Sequence, residues 1–178
     1  MTLKTIEIET GPNPRATVVL MHGLGADGND FVPIAGEMDP SAAGPVRFVF
    51  PNAPQMPVSI NSGYVMPAWY DIYPDRSRED EAGLRHAEKL AGIVGLSGYL
   101  PLANKTAAER HTANAATAVF LAHGQHDDVV VMGRAVAARD TLKGLGYDIQ
   151  WSEYPMGHSV CMEEVADLEQ WLLKVLGA

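Results

Sequence analysis

The sequence predicts an α/β fold, a mostly parallel sheet with helices on both of its faces. Apolar strand patterns alternate with helix patterns along the chain, and this alternation is typical of parallel strands joined by helices. With 178 residues, 47% of them hydrophobic, the chain can bury the core of one domain. No internal repeat interrupts the pattern, and we therefore expect a single domain over residues 1–178.

The first part of the chain is predicted to hold three strands and one short helix. Residues 3–9 and 16–21 alternate polar and apolar side chains around a Gly-Pro-Asn-Pro turn, which favours a hairpin. A short helix is predicted over 30–38 and a further strand over 46–51. Residues 52–76 are rich in proline, asparagine and aromatic residues, and we expect a long ordered loop, a kind of segment that is commonly functional.

The second part of the chain continues the alternation of strands and helices. Its segments, in order, are a charged, helix-permissive stretch over 76–90, a strand over 91–98, a polar connection over 101–115, a strand over 118–123, a helix over 131–145, a strand over 148–154 and a helix over 162–176. The last helix is amphipathic, with Val165, Leu168, Leu172 and Val175 on one face.

Composition excludes several classes of protein. The net charge is −9, and the basic residues are scattered, which argues against a nucleic-acid-binding surface. The first ten residues alternate like a strand and lack the apolar core of a signal peptide, and no apolar run is long enough to span a bilayer. A single cysteine, Cys161, excludes an internal disulfide and fits a reducing compartment. We therefore expect a cytoplasmic protein.

The strand that ends at Met21 runs into a glycine-rich turn, His22-Gly23-Leu24-Gly25. Glycines allow a substrate to approach the main chain closely, so that backbone N–H groups can point at a developing negative charge. Many strands end in glycine turns that have no function, and a lone histidine in such a turn is more often structural. The turn alone therefore fits either interpretation.

Two further polar turns follow strands, at His126-Asp127-Asp128 and at Gly157-His158-Ser159. The carboxyl ends of parallel strands meet at one edge of a sheet, where sites form. An aspartate followed about thirty residues later by a histidine is the order of the acid and the base in one class of serine-hydrolase triad. Taken alone, Asp127 is more readily explained as a turn former.

Several short motifs follow one another along the chain. They are His22-Gly23-Leu24-Gly25-Ala26-Asp27-Gly28, Phe50-Pro51-Asn52-Ala53-Pro54, Ala68-Trp69-Tyr70-Asp71, Leu96-Ser97-Gly98-Tyr99-Leu100-Pro101, His123-Gly124 with Asp127, and Gly157-His158-Ser159. Together they resemble the phospholipase/carboxylesterase family, the group similar to acyl-protein thioesterases. The resemblance implies an α/β-hydrolase fold and hydrolysis of small carboxylic esters or thioesters through an acyl-enzyme, without a cofactor or metal.

The resemblance also implies roles for individual residues. Asp127 is the triad acid and His158 the general base. The backbone N–H of Leu24 forms part of the oxyanion hole, and Gly23, Gly25 and Trp69 line the oxyanion and substrate pocket. Asp128 stands where the family often has proline, so the choice between Asp127 and its neighbour stays open.

The nucleophile is missing from this pattern. The family carries it in a G-x-S-x-G elbow, and no such motif occurs here; Ser97 comes nearest but lacks the second glycine. Compared with the family, a helix-strand-helix block of about 40 residues, similar to a βαβ unit, is absent between Arg85 and His86. The nucleophilic serine is therefore expected outside this sequence.

Loss of a central strand leaves two strand edges, which either pair with each other or pair with another chain in a homo-oligomer. A deletion, a stretch missing from the sequence as determined, and a redesigned site all remain as explanations. Two other functions also stay open. One is a non-catalytic acyl-ligand-binding or interaction protein, and the other a metal hydrolase using His123, His126 and a neighbouring aspartate. Cys161 as nucleophile is disfavoured, because no elbow presents it.

Overall fold

The computed structural model describes residues 3–73, 83–101 and 103–178. The chain divides into two compact units, Met1–Glu79 with Leu176–Ala178, and Asp80–Val175. Each unit has its own three-stranded sheet. The single domain that the sequence predicts over 1–178 stays a prediction.

The first unit is built around one buried strand. Its elements are β1 (Thr5–Glu9), β2 (Ala16–Val19), α1 (Val32–Glu37), β3 (Val46–Pro51), β4 (Gln55–Val58) and β5 (Tyr64–Pro67). β3 lies in the middle of the sheet, antiparallel to β1 and parallel to β2. Val46, Phe48 and Phe50 alternate along β3 and are fully buried, which makes this strand the core of the unit.

The predicted hairpin between the first two strands is wrong. β3 lies between β1 and β2, so that Ile6 faces Phe50 on one side and Val18 faces Phe48 on the other. An alternating pattern shows that a segment is a strand but does not name its partner. The most buried strand, β3, takes the central position, and the two more exposed strands flank it.

Two other predictions for this unit need correction. The stretch 52–76 is not simply a loop, since β4 and β5 within it form an antiparallel pair. Pro57 and Pro67 obscured these strands, because proline is tolerated only where a strand needs no N–H donor. The helix predicted over 30–38 begins as a 3₁₀ turn at Gly28–Phe31 and continues as α1, while the strand predicted over 46–51 is confirmed as β3.

The second unit agrees more closely with the sequence pattern. Its elements are β6 (Gly92–Leu96), α2 (Ala103–Glu109), β7 (Ala118–Gly124), α3 (Met132–Gly144), β8 (Ile149–Tyr154) and α4 (Met162–Leu176). The three strands are parallel, as expected for this class, and lie in the order β6-β7-β8. The polar connection predicted over 101–115 contains α2, which was missed because its residues carry no apolar stripe. Part of the charged stretch 76–90 lies outside the described residues, and its described part is a 3₁₀ turn at Gly83–Arg85 followed by irregular chain.

Helix α4 forms as predicted and packs on the central strand of the second unit. Val165, Leu168 and Leu172 are buried, and the Trp171 ring lies 5.8 Å from the ring of Phe120 in β7. A Cβ atom at Gly92 would come within 2.3 Å of the Trp171 ring, so the strand must carry glycine there. None of the helices among the described residues is both long and apolar enough to cross a membrane.

The first three-stranded sheet has a parallel strand, β2, at one edge, and the second has parallel strands, β6 and β8, at both edges. Among the described residues, β2 pairs only with β3, and β6 pairs only with β7. Val19 on β2 is 58% exposed and Val94 on β6 is 39% exposed. The faces of parallel sheets are usually covered, so valine side chains as exposed as these are unusual for this class of sheet.

The segment that follows Arg85 is held by a buried amide, Asn114. The Asn114 side chain donates to the carbonyl oxygens of His86 and Glu88 at 2.8 and 2.9 Å, and accepts from the N–H of Leu90 at 2.8 Å. It also accepts from the hydroxyl of Thr117 at 3.0 Å. Asn114 is fully buried and thus fixes residues 86–90 immediately before β6.

Replacing Asn114 with alanine should lower the free energy of unfolding by about 3 kcal/mol, because several buried polar groups lose their partner at once. Urea unfolding followed by tryptophan fluorescence measures this. Asn104→Ala, at an exposed position of α2, is the matched control and should leave the midpoint nearly unchanged. Equal midpoints for the two variants would contradict the anchoring role.

Glu164 is a fully buried carboxyl group in the first turn of α4. Burial raises the pKa of Glu164 to about 7, and the backbone N–H of Cys161 opposes this shift without overcoming it. The unfolded chain ionises this group near pH 4.5, whereas the folded chain holds the proton until about pH 7. The folded state therefore loses stability as the pH rises through this interval.

In Glu164→Gln this pH dependence should disappear. We subtract the unfolding free energy of the parent from that of the variant at each pH. This difference should increase by about 3 kcal/mol between pH 4.5 and pH 7.5, because the parent loses stability over that range. Denaturant unfolding across this range measures the difference, and any fixed cost of burying the amide cancels. Glu163→Gln, at the exposed neighbouring position, is the control; a parallel pH dependence in both variants would disprove the assignment.

Candidate active site

The turn after β7 holds the carboxylate of Asp127 in a fixed orientation. Its Oδ1 accepts hydrogen bonds from the backbone N–H groups of Val129 at 2.9 Å and Val130 at 2.8 Å. Its Oδ2 lies 2.8 Å from Nδ1 of His158. The next residue, Asp128, is exposed. The structure therefore pairs His158 with Asp127 and not with Asp128.

His158 lies in the turn between β8 and α4 and faces solvent on one side. Because Nδ1 lies against a carboxylate oxygen, Nδ1 carries the hydrogen and donates it to Asp127. Nε2 has no partner among the described residues, and the side chain is 42% exposed. This tautomer leaves Nε2 free to accept a proton from another group.

Asp127 is held in its ionised form. Burial raises its pKa, but the hydrogen bond from His158 and the N–H groups of Val130 and Val129 outweigh burial, so the pKa of Asp127 lies below its usual value. A buried carboxylate that stays charged can orient an imidazole and stabilise its cation. The pair thus has the chemistry of an acid–base dyad.

Gly124, at the end of β7, allows the two turns to meet. A Cβ atom at this position would lie 2.3 Å from the carbonyl oxygen of Gly157 and 2.5 Å from that of Met156. Two backbone hydrogen bonds join the same segments, from the N–H of Gln125 to the Tyr154 carbonyl at 2.8 Å and from the N–H of His126 to the Met156 carbonyl at 2.9 Å. The sequence motif contains Gly124, but a glycine after a strand gives no sign of this close approach.

In the first unit, the turn after β2 is held by His22. The imidazole is buried; its Nε2 accepts from the N–H of Ala53 at 3.0 Å, and its Nδ1 donates to the Gly23 carbonyl at 2.7 Å. Trp69 donates from Nε1 to the carbonyl of His22 at 2.8 Å, and the N–H of Gly25 donates to the Pro67 carbonyl at 2.9 Å. His22 is thus structural, and Trp69 fixes the glycine turn.

Two backbone donors in this turn remain open. The N–H groups of Gly23 and Leu24 have no hydrogen-bond partner in the described part of the chain, although their neighbours on both sides are fixed. Leu24 is 41% exposed, and Gly25 adopts a φ of 79°, which favours glycine. A rigid turn with free N–H groups can bind a negatively charged oxygen.

The other residues considered from the sequence are less suited to chemistry. Ser97 follows β6 with a φ of 50°, and its Oγ is buried and without a hydrogen-bond partner in the described structure, so it is not presented to a substrate. Cys161 is a half-buried free thiol. His126 is exposed and His123 fully buried, and among the described residues no three His, Cys, Asp or Glu side chains are grouped to hold a metal ion.

The amino-acid sequence of this chain is similar to those of known proteins. The sequence profile of the Phospholipase/Carboxylesterase family matches residues 3–89 and 80–176, two segments that overlap around Arg85 and His86. Acyl-protein thioesterase 1 of Neurospora crassa is 32% identical over 213 positions, covering 90% of this chain and 87% of that protein. Acyl-protein thioesterase 1 of Mycosarcoma maydis is 32% identical over 237 positions, covering 99% and 98%. Both alignments are longer than the 178 residues of this chain, so they include positions with no counterpart here.

Solved structures share the fold. Acyl-protein thioesterase 2 of Zea mays superimposes with a TM-score of 0.84 at 23% identity, covering 99% of this chain and all of that chain (100%). SOBER1 of Arabidopsis thaliana superimposes with a TM-score of 0.81 at 23% identity, covering 90% and 99%. At this level of identity the likeness establishes the fold, which is that of the α/β hydrolases.

Gly124→Ala should separate His158 from Asp127, because the new methyl group displaces the carbonyls of residues 156 and 157. We expect loss of the Nδ1-bound proton signal of His158 in imidazole NMR spectra, and a loss of about 2 kcal/mol in stability from overpacking. Gly133→Ala in α3 is the control, since a Cβ atom there meets nothing within 4 Å. An unchanged His158 signal in Gly124→Ala would show that the close approach is not required.

Proposed function

The chain belongs to the phospholipase/carboxylesterase family, and from this premise we propose that it serves the hydrolysis of carboxylic esters or thioesters through an acyl-enzyme. The observation that carries the proposal is the 2.8 Å contact between Nδ1 of His158 and Oδ2 of Asp127, with Nε2 of His158 left open. The curated relatives named above are acyl-protein thioesterases, which supports acyl thioesters as substrates.

In this mechanism His158 is the general base and Asp127 the acid that orients it. Nε2 of His158 takes the proton of a serine hydroxyl as the serine oxygen attacks the acyl carbon, and returns it to the leaving alcohol or thiol. A water molecule then loses its proton to the same Nε2 as its oxygen attacks the acyl carbon, and Nε2 returns that proton to the serine oxygen when the bond between serine and the acyl group breaks and the carboxylic acid leaves. No cofactor enters this sequence of steps.

We place the nucleophilic serine outside the 178 residues, in a segment belonging between Arg85 and His86. Three observations support this. The chain has no G-x-S-x-G motif, the Oγ of Ser97 is buried, and the family profile matches in two segments that overlap around this junction. The relatives' longer alignments are consistent with such a segment.

We assign the oxyanion-binding role to the turn at Gly23, Leu24 and Gly25. The unpartnered N–H groups of Gly23 and Leu24 support this role, and the hydrogen bond from Trp69 to the His22 carbonyl keeps the turn rigid. Donors that are fixed in advance stabilise a developing oxyanion without reorganisation. Trp69 would also border the substrate pocket.

The alternative is a non-catalytic protein that binds an acyl group. The absent nucleophile favours it, as does a small apolar cleft of about 90 Å³ in the second unit, lined by residues that include Tyr99, Leu100, Leu121 and Trp151. Ligand pockets usually measure about 300–1,000 Å³, so this cleft suits part of an acyl chain at most. The single cysteine and the acidic charge fit our proposal of a cytoplasmic protein without a nucleic-acid partner.

The proposal is tested by intact mass and active-site labelling of the protein from its natural source. We expect a mass above 19.2 kDa, labelling by a fluorophosphonate at a serine outside these 178 residues, and hydrolysis of a short-chain p-nitrophenyl ester. His158→Ala should lower kcat about 10⁴-fold, whereas His86→Ala, at an exposed position, should not. The rate should also fall on acidification, because a protonated imidazole cannot act as a base.

A mass of 19.2 kDa together with no labelling and no turnover would overturn the hydrolase proposal. Saturable binding of an acyl ligand that is unaffected by His158→Ala would then support the binding protein.

A further inference from the structure

His123 is a buried imidazole directly behind the Asp127–His158 pair. It lies near the end of β7, is 0% exposed, and has no place in the hydrolytic steps described above. Its Nε2 lies 2.6 Å from the carbonyl oxygen of Val130 and 3.5 Å from Oδ2 of Asp127. Both neighbours of Nε2 are therefore acceptors.

These contacts determine which nitrogen of His123 carries the hydrogen. A nitrogen that faces two acceptor oxygens must be the donor, so Nε2 is protonated. Nδ1 is buried and has no hydrogen-bond partner among the described residues. His123 is thus present as the Nε2–H tautomer.

Hydrogen bonds connect His123 to the Asp127 carboxylate through the backbone of Val130. Nε2–H of His123 holds the carbonyl of Val130, and the N–H of the same Val130 donates to Oδ1 of Asp127 at 2.8 Å. The other oxygen, Oδ2, binds Nδ1 of His158 and lies within reach of His123. His123 thereby fixes the turn that carries Asp127, and its ring lies beside the carboxylate oxygen that orients His158.

We propose that His123 is a positioning residue that keeps the Asp127 carboxylate oriented toward His158 through the backbone C=O and N–H of Val130. The inference rests on the proposed roles of Asp127 and His158. His123 touches neither substrate nor nucleophile; it acts by limiting rotation of the Asp127 side chain, so that His158 keeps its Nδ1–H tautomer. A displacement of about 1 Å in a catalytic side chain can lower the rate about 100-fold. A residue such as His123, which holds the Asp127 turn in place, therefore affects the rate without touching the substrate.

Imidazole NMR of His123 in the parent chain tests the tautomer directly, without a variant. Long-range proton–nitrogen correlations should show His123 protonated at Nε2 and bare at Nδ1. Protonation at Nδ1 with a bare Nε2 would overturn the proposal, because Nε2 could not then donate to Val130.

Two variants test the effect on His158. His123→Gln retains an N–H donor near the Nε2 position, whereas His123→Leu retains a similar volume without a donor. The Nδ1-bound proton of His158 should remain in His123→Gln and be lost in His123→Leu, with backbone amide spectra confirming that both variants are folded. An unchanged His158 signal in folded His123→Leu would overturn the proposal.

Kinetics separate this inference from the proposed function. Where ester hydrolysis is measurable, His123→Leu should lower kcat about 10-fold or more with little change in KM, and His123→Gln should restore most of it. If the protein lacks turnover altogether but His123→Leu still loses the His158 signal, the hydrolase proposal fails and the positioning role stands. If turnover is present and both variants equal the parent in kcat, the positioning role fails.

Discussion

The close approach of two backbone segments at Gly124 is the constraint on which the candidate dyad depends. Parallel strands β7 and β8 end at the same edge of their sheet, but shared direction alone leaves their turns free to diverge. The absence of a side chain at Gly124 lets the carbonyls of residues 156 and 157 pass over the end of β7. Only then can Nδ1 of His158 reach Oδ2 of Asp127 at 2.8 Å.

Three histidines in this protein illustrate how environment decides the role of one side chain. His22 and His123 are buried, and in each the hydrogen-bonded nitrogens are used to hold a turn. His158 uses one nitrogen to bind a carboxylate and leaves the other exposed. A histidine whose ring nitrogens are enclosed supports structure, whereas one with an open nitrogen beside a carboxylate can move protons.

How far the sequence could predict the structure depended on the kind of information needed. Helix α4 was predicted with its bounds, because the helical spacing of its apolar residues is visible in the sequence. The pairing of β1 and β2 was predicted wrongly, because sequence adjacency favoured a hairpin and the burial of β3 decided otherwise. The short strands β4 and β5 were missed because prolines interrupt their pattern. The burial of Glu164 was missed because a charged residue at a helix start ordinarily faces solvent.

By itself the sequence determined the α/β class with mostly parallel strands, the resemblance to the family, and Asp127 with His158 as a candidate pair. Only the tertiary structure decided that His158 binds Asp127 and not the adjacent Asp128, that Gly124 must lack a side chain, and that His123 faces Val130. The reason is physical. Periodicity and motif order are properties of neighbouring residues, whereas hydrogen-bond partners are set by distances of about 3 Å between atoms far apart in the chain.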